Sequence, residues 1–374
     1  MTEKILLKDQ LINPKKITQL ALEIKHVYKD FDAEGFIQET TSKIKELELK
    51  QRIDYLADIL YKYLPNKYTT ALNIILQALP QPNDPTLNDN DFGDFIYAPF
   101  GAFIAKYGCN NEDLLVSLQG LYELTKRFSA EDPIRYFINK FPTKTVKTLN
   151  RWADDSNYHV RRLCSEGTRP KLPWSQKIKI DIQTAIPILD KLYCDNTRYV
   201  TRSVANHLND ISKIDAELTI QTLKRWHNET KQSNKEMAYI TKHALRTLVK
   251  QGNIKALEIL GYKADLNIEL LEFNVPNTVL LNKHLQFSLT IMAYETGRVI
   301  VDYTIYFSNK QGQLKNKKVY KFTQIELQPH KLVTLNKKHL LKESMTTRTL
   351  YPGVHAIEIQ VNGKKLGIKE FTLY

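Results

Sequence analysis

Three apolar positions set forty residues apart, Val160, Val200 and Ile240, are each followed two residues later by a cation: Arg162, Arg202 and Lys242. The surroundings repeat with them. A helical run of the type LNRW (149–152), ILDKLY (188–193) or LKRW (223–226) ends shortly before each, and the first and third close alike in Arg-Trp. A forty-residue period of paired helices is the mark of HEAT-like or armadillo-like arrays, in which each hairpin buries its apolar face only against its neighbours. Such arrays curve and present the second helix of each hairpin on the inner surface, so the aligned cations predict a basic stripe there.

The segments upstream agree with a helical reading. In 17–28, 36–47, 53–63 and 69–79 the apolar positions recur three or four apart, and short polar or proline-bearing turns separate them. The period changes near Gly261. Beyond it apolar residues alternate: Leu285, Phe287, Leu289 and Ile291, then Val299, Val301, Tyr303, Ile305 and Phe307, then Val319, Lys321 and Thr323, and finally 356–361 and 366–373. With turn signals at Thr296-Gly297, 309–312 and Asn362-Gly363, this region reads as a small antiparallel sandwich of immunoglobulin-like type. The expected fold is therefore an all-α HEAT-like repeat solenoid over 1–263 followed by an all-β immunoglobulin-like sandwich over 264–374.

Charge narrows the partners. The 374 residues carry 54 Lys and Arg against 41 Asp and Glu, a net of +13, with a pI near 9.3. A polyanion is the natural partner. Both halves contribute, since the sandwich region alone holds 15 basic and 9 acidic residues, and its lysine-rich stretch 310–321 reads as a turn facing a duplex. The longest apolar run, 95–105, contains Pro99 and Gly101 and is too short to span a bilayer, so no membrane partner is expected. The opening MTEKILLKDQ resembles neither an export nor an organelle signal. Three cysteines, Cys109, Cys164 and Cys194, and nine histidines show no metal-ligand spacing. A cytoplasmic monomer without a metal fits these features, with His159, His207 and His243 assigned to packing or DNA contact.

The densest local signal is VRRLCSEGTRPKLPW (160–174), a helix-to-loop corner with four cations, one carboxylate and an indole. Arg161 and Arg162 occupy consecutive helical positions and point to different sides, so at most one lies on the buried face. Pro170 and Pro173 stiffen the loop and would hold Arg169, Lys171 and Trp174 in place at little entropic cost. Alternatively, the corner is a helix end whose Trp174 plugs the core. Candidate phosphate contacts are Arg161, Arg162, Arg169, Lys171, Arg198, Arg202 and Lys242. Asp155 and Asp195 recur in register forty residues apart, which favours a turn role for both.

The runs LTKRFSAEDPIRYFI (124–138), RWADDSNYHVRRLCSEGTRPKLPW (151–174) and SVANHLNDISK (203–213) closely resemble the bacterial AlkC-type DNA alkylation repair glycosylases, over essentially the whole chain. That resemblance implies HEAT-like enzymes related to the AlkD type, some with a C-terminal immunoglobulin-like domain. It implies monofunctional excision of 3-methyladenine and 3-methylcytosine from double-stranded DNA containing alkylated bases, with no metal or organic cofactor and without swinging the lesion deep into a pocket. The chemistry suits the residues. A base alkylated at a ring nitrogen is a cationic leaving group, and its departure builds positive charge at C1′, which fixed carboxylates stabilise. Glu131, Glu166 and Asp210 stand in the matching motifs, and Trp174 can cover the sugar or base face. Each has a plainer reading: Glu131 as a first-turn residue, Glu166 as half of an ion pair with Arg161 or Arg162, and single surface cations as solvated groups. Asp210 sits at the unfavourable end of a helix dipole, which hints at a role other than helix stability. The competing function is a non-catalytic binder of bent or branched DNA on the same basic surface. A scaffold for an acidic protein is a third.

Overall fold

Val160, Val200 and Ile240 are all fully buried in the computed structural model, which describes residues 6–84, 86, 92–263, 265–345 and 348–374. They lie on helices at equivalent places in successive hairpins. The chain divides into two compact units, the first ending at Ala244 and the second running from Leu245 to Tyr374.

The regular elements of the first unit are dominated by helices. Its N-terminal part holds α1 (Leu7–Leu11), α2 (Pro14–Val27), α3 (Ala33–Ile44), α4 (Leu49–Tyr63), α5 (Tyr68–Gln77), α6 (Ala98–Tyr107) and α7 (Leu114–Thr125). Then come α8 (Ile134–Lys140), α9 (Pro142–Trp152), α10 (Tyr158–Gly167), α11 (Ile186–Leu192), α12 (Arg198–Ile211), α13 (Ala216–Glu229) and α14 (Asn234–Ala244). Proline occupies one of the first two positions of α2, α6, α9 and α11, where its missing N–H is no loss. Asn13, Asp32, Asn157 and Asp215 cap free N–H groups at their helix starts. In the repeat region α9 packs on α10, α11 on α12 and α13 on α14, while α10, α12 and α14 stack side by side. The turns repeat as expected: Asp155 accepts from the Asn157 N–H at 2.8 Å and Asp195 from the Thr197 N–H at 2.7 Å. Aromatic pairs lock neighbouring hairpins. Trp152 packs on Tyr122, and Trp226 lies parallel to Tyr193 at 4.5 Å with its indole N–H donating to Asp190 at 2.7 Å.

The second unit begins earlier than the boundary at 263/264 read from the sequence. Two short helices, α15 (Arg246–Lys250) and α16 (Ile254–Ile259), belong with the strands. Contacts at their edges explain why. The Gly252 and Gly363 backbones approach so closely that a Cβ on Gly252 would stand 2.7 Å from the Gly363 Cα. Asn362 donates to the Lys263 carbonyl at 2.8 Å, and Gln324 donates to the Tyr262 hydroxyl at 2.6 Å. Helical period alone cannot assign a helix to the unit that buries it.

Strands β1 (Ile268–Asn274), β3 (His284–Ala293) and β6 (Val333–Leu340) form one sheet in the order β1-β3-β6. The other has the order β2-β10-β9-β4-β5, built from β2 (Thr278–Val279), β4 (Gly297–Ser308), β5 (Leu314–Leu327), β9 (Gly353–Val361) and β10 (Lys364–Leu373). Strands β7 (Ser344–Met345) and β8 (Arg348–Thr349) pair antiparallel. The core between the large sheets contains the predicted alternating residues of β3 and β4, with Ile357, Ile359 and Val361 from β9. Asn362 and Gly363 turn β9 into β10 with φ of 43° and 81°, the conformation that an Asn-Gly hairpin supplies.

The parity read for β5 needs correction. A bulge shifts the pairing between Val301↔Thr323 and Asp302↔Lys321, so Tyr320, Phe322, Ile325 and Leu327 meet the core where Val319, Lys321 and Thr323 had been expected. One inserted residue flips every side chain beyond it. The lysine-rich stretch is likewise mostly strand: Lys310 lies in the turn, but Lys315, Lys317 and Lys318 line the exposed first half of β5. Because β5 is a sheet edge, these charges discourage edge-to-edge pairing. Among the described residues no helix is long and apolar enough to cross a membrane.

Candidate active site

Glu166 and Asp210 each sit in the last turn of a stacked helix, α10 and α12, and Glu131 lies in the turn before α8. Two local features bring them together. Alongside the stacking of α10 on α12, Gly167 lets the end of α10 close on α8, where a Cβ would stand 2.6 Å from the Ile134 Cγ2. The result is a continuous chain of alternating charge. Arg162 donates to Glu131 at 2.9 Å and to Ser129 at 3.0 Å, and its other terminal nitrogen lies 3.7 Å from Glu166. Arg169 donates to Glu166 at 2.9 Å and, through Nε and Nη2, to Asp210 at 2.9 and 2.7 Å. Lys213 closes the chain on the second Asp210 oxygen at 2.9 Å.

Burial gives these contacts weight. Glu166 and Asp210 are 4% and 5% exposed, so their charges act in a medium of low effective dielectric constant. Burial would raise the Glu166 pKa, but Arg162 and Arg169 more than offset it and hold the carboxyl below its ordinary value, aided by the Ser203 hydroxyl. Burial likewise works against charge on the two guanidiniums, and the facing carboxylates override it and raise both. The Arg162 guanidinium also lies over the Phe92 ring at 5.0 Å and the Tyr199 ring at 4.4 Å.

Trp174 does not plug the core. It is 89% exposed, holds a positive φ of 70°, and its carbonyl accepts from Lys50 at 3.2 Å. A bulky residue held there with its indole in solvent departs from folding economy, and such departures cluster at functional positions. Lys171 and Lys242 are exposed, and Arg202 is half-buried beside the Tyr199 ring.

The candidate phosphate contacts are not uniform, and four of them meet protein carboxylates instead, Arg169 through its bonds to Glu166 and Asp210. Arg162 is 7% exposed and joins the carboxylates. Arg161 grips Asp195 at 2.5 and 3.1 Å and the carbonyls of Asp155 and Ser156, pinning one turn to the next. Arg198 pairs with Glu236 and stacks at 3.7 Å on Tyr239. Adjacent Arg161 and Arg162 do point apart, yet both are engaged by protein.

Sequence reasoning passed over Ser129, Ser203 and Arg135. The one available signal was an arginine inside the apolar stripe Ile134, Phe137, Ile138 of α8, all of it buried. His207 is fully buried, its Nδ1–H donating to the Ser165 carbonyl at 3.0 Å, and burial pushes its pKa down to about 4. It is neutral and structural. Among the described residues no group of three or more His, Cys, Asp or Glu side chains could hold a metal ion.

A paired-helix repeat joined to an immunoglobulin-like sandwich, with acids and arginines interleaved across three helix ends, defines the architecture. Residues 269–374 match the family described as "Uncharacterised protein YhaZ, C-terminal Ig-like domain". The chain is 31% identical over 362 residues to YhaZ of Bacillus subtilis (strain 168), covering 95% of this chain and 96% of that protein. It is also similar to the solved structure of Pseudomonas fluorescens alkylpurine DNA glycosylase AlkC bound to DNA containing an abasic site analogue, with a TM-score of 0.88 and 32% identity over 99% of this chain and 100% of that one. The chain belongs to the AlkC-type family.

Proposed function

We propose that this protein is a monofunctional DNA glycosylase that removes cationic N-alkylated bases, 3-methyladenine and 3-methylcytosine among them, from duplex DNA. The observation that carries the reading is the convergence of Glu131, Glu166 and Asp210 through two arginines at the ends of stacked helices, in a chain whose likeness to AlkC spans its full length. Three carboxylates face two buried guanidiniums, and the third cation, Lys213, is 41% exposed at the rim, where water screens it, so the fixed carboxylates rather than a net charge are what support the reading. Their field favours a C1′ cation. As the glycosidic bond breaks, its electron pair leaves with the base and neutralises the base's positive charge. Water, oriented by a carboxylate that stays ionised, then adds to C1′ and releases its proton to bulk water. Trp174 offers its exposed face to the sugar or the cationic base, a contact worth roughly 0.5 to 2 kcal/mol. Of the other candidate contacts, Lys171 and Lys242 are exposed and Arg202 is half-buried, which supports phosphate-contacting roles for them.

The test is incubation with methylated duplex and chromatography of the released bases. Free 3-methyladenine and 3-methylcytosine, with the strand left intact, are expected from the wild type. Tight duplex binding without release would favour the non-catalytic binder instead.

A further inference from the structure

We infer that Arg135, outside the carboxylate cluster, is a positioning residue for the proposed excision: it holds both ends of the 167–176 loop, so that Arg169 stays between Glu166 and Asp210 and Trp174 stays presented. The inference rests on the glycosylase reading above.

Arg135 is fully buried in α8. Its hydrogen bonds go to backbone carbonyls at opposite ends of one loop: Gly167 at 3.1 Å and Arg169 at 2.8 Å through Nη1, and Gln176 at 2.6 Å through Nε. Gly167 directly follows Glu166, and Gln176 lies two residues beyond Trp174. A single rigid fork therefore closes the segment that carries the bridging arginine and the exposed indole. Asn139, one turn further along α8, adds bonds to the Gln176 side chain at 3.2 Å and the Lys177 carbonyl at 2.9 Å, and accepts from the Lys179 N–H at 2.9 Å.

The arrangement is expensive for a purely structural clip. Nη2 is buried with no hydrogen-bond partner, and burial lowers the guanidinium pKa to about 10. Asp132, Glu131 and Asp210 act on it only through space, so a charge hydrogen-bonded to neutral carbonyls still carries a desolvation penalty that an apolar side chain of similar size avoids. What the fork supplies is geometry. Effects of this kind are large near reacting groups, where a displacement of about 1 Å can lower a rate about a hundredfold.

The experiment compares Arg135→Lys, which keeps the charge but replaces the planar fork with a point donor, with Asn139→Ala, which leaves the buried core untouched. Three quantities are read in the full-length protein: single-turnover release of 3-methyladenine, affinity for undamaged duplex, and rotational freedom of the iodide-quenchable indole. That indole is Trp174, since Trp152 and Trp226 are buried. Arg135→Lys should release base about ten- to a hundredfold more slowly, with duplex affinity held within about threefold and with faster local rotation of Trp174. Asn139→Ala should move the same quantities the same way by less. Unchanged rotation and unchanged rates in both variants would overturn the inference, as would a rate loss in Arg135→Lys matched by equal loss of duplex binding and of folded protein while Asn139→Ala behaves as wild type. If the wild type releases no base, the glycosylase reading fails, and Trp174 rotation still decides whether Arg135 holds the loop.

Discussion

Replacing Glu166 with glutamine keeps the side-chain volume and one acceptor while deleting a charge that sits between two guanidiniums. Two consequences separate. In the ground state neither arginine is orphaned, because Arg169 retains Asp210 at 2.7 and 2.9 Å and Arg162 retains Glu131 at 2.9 Å. Stability should therefore fall by about 1.5 to 3 kcal/mol, the range for a hydrogen bond to a charged group, rather than the 3 to 5 kcal/mol typical of a buried pair with one partner removed. On the proposed mechanism, the lost charge faces a developing C1′ cation in the transition state. Deleting one fixed electrostatic partner there costs about 2.7 to 4 kcal/mol, or roughly a hundred- to a thousandfold in rate.

Single-turnover release at saturating enzyme isolates the second effect. With Glu166 only 4% exposed, affinity for undamaged duplex should change little. The arginines hold its pKa below the ordinary 4.5, so its charge is present above that value and is lost only as pH falls through the lowered one. Wild-type rates should show no ionisation from Glu166 near neutrality. A Glu166→Gln protein that releases 3-methyladenine at the wild-type rate would refute the electrostatic role assigned to this carboxylate.

Trp174→Ala should leave thermal stability unchanged, since the indole is 89% exposed, yet slow excision by about two- to thirtyfold, the equivalent of roughly 0.5 to 2 kcal/mol, in the same chromatographic assay. Titrations over a range of salt should find that Arg202→Ala and Lys242→Ala each lower the salt slope of duplex binding by roughly one, whereas Arg161→Ala keeps the slope and lowers urea stability by about 2 to 3 kcal/mol, because it strands buried Asp195. His207 has a folded pKa of about 4 against 6.5 when free. The unfolded chain therefore binds the extra proton, and stability that is full above 6.5 should fall by up to about 3 kcal/mol as pH drops toward 4, a dependence that urea unfolding of a His207→Gln protein should lack. A chain ending at Ala244 should keep its helical circular dichroism and cooperative melting, because the first unit ends there; one ending at Lys263 retains α15 and α16 without their strands and should expose apolar surface to a hydrophobic dye.

What the sequence made legible was whatever repeats or is settled by near neighbours. Val160, Val200 and Ile240 shared a period and share full burial. Asp155 and Asp195 shared a register and form the same turn. The alternation in β3 and β4 identified the sandwich core, because a strand's two faces are set by parity alone. Parity failed in β5, where a bulge opposite Val301 and Asp302 leaves no mark on the pattern. The early start of the second unit left no mark on the pattern for a related reason, since α15 and α16 continue the helical period while the residues flanking them, Gly252, Tyr262 and Lys263, meet Gly363, Gln324 and Asn362.

The cations show where pattern stops carrying meaning. Arg162, Arg202 and Lys242 occupy one repeat position, yet they lie respectively buried, half-buried and exposed. The difference comes from outside the repeat: Glu131, thirty-one residues before Arg162, reaches it from the turn preceding α8. A repeat position prescribes where a side chain emerges, but its role depends on which carboxylate meets it there. The same logic explains why spacing alone could not bring Glu131, Glu166 and Asp210 together, although the resemblance to a family named all three. These acids come from three different turns of the chain, and only the stacking of α10 on α12 and the closure of Gly167 on Ile134 make them neighbours. Residue types that look interchangeable along the stripe therefore differ in burial, with Arg162 among the acids and Lys242 at the surface, and on the proposed function mutations at the two should move stability and salt dependence separately.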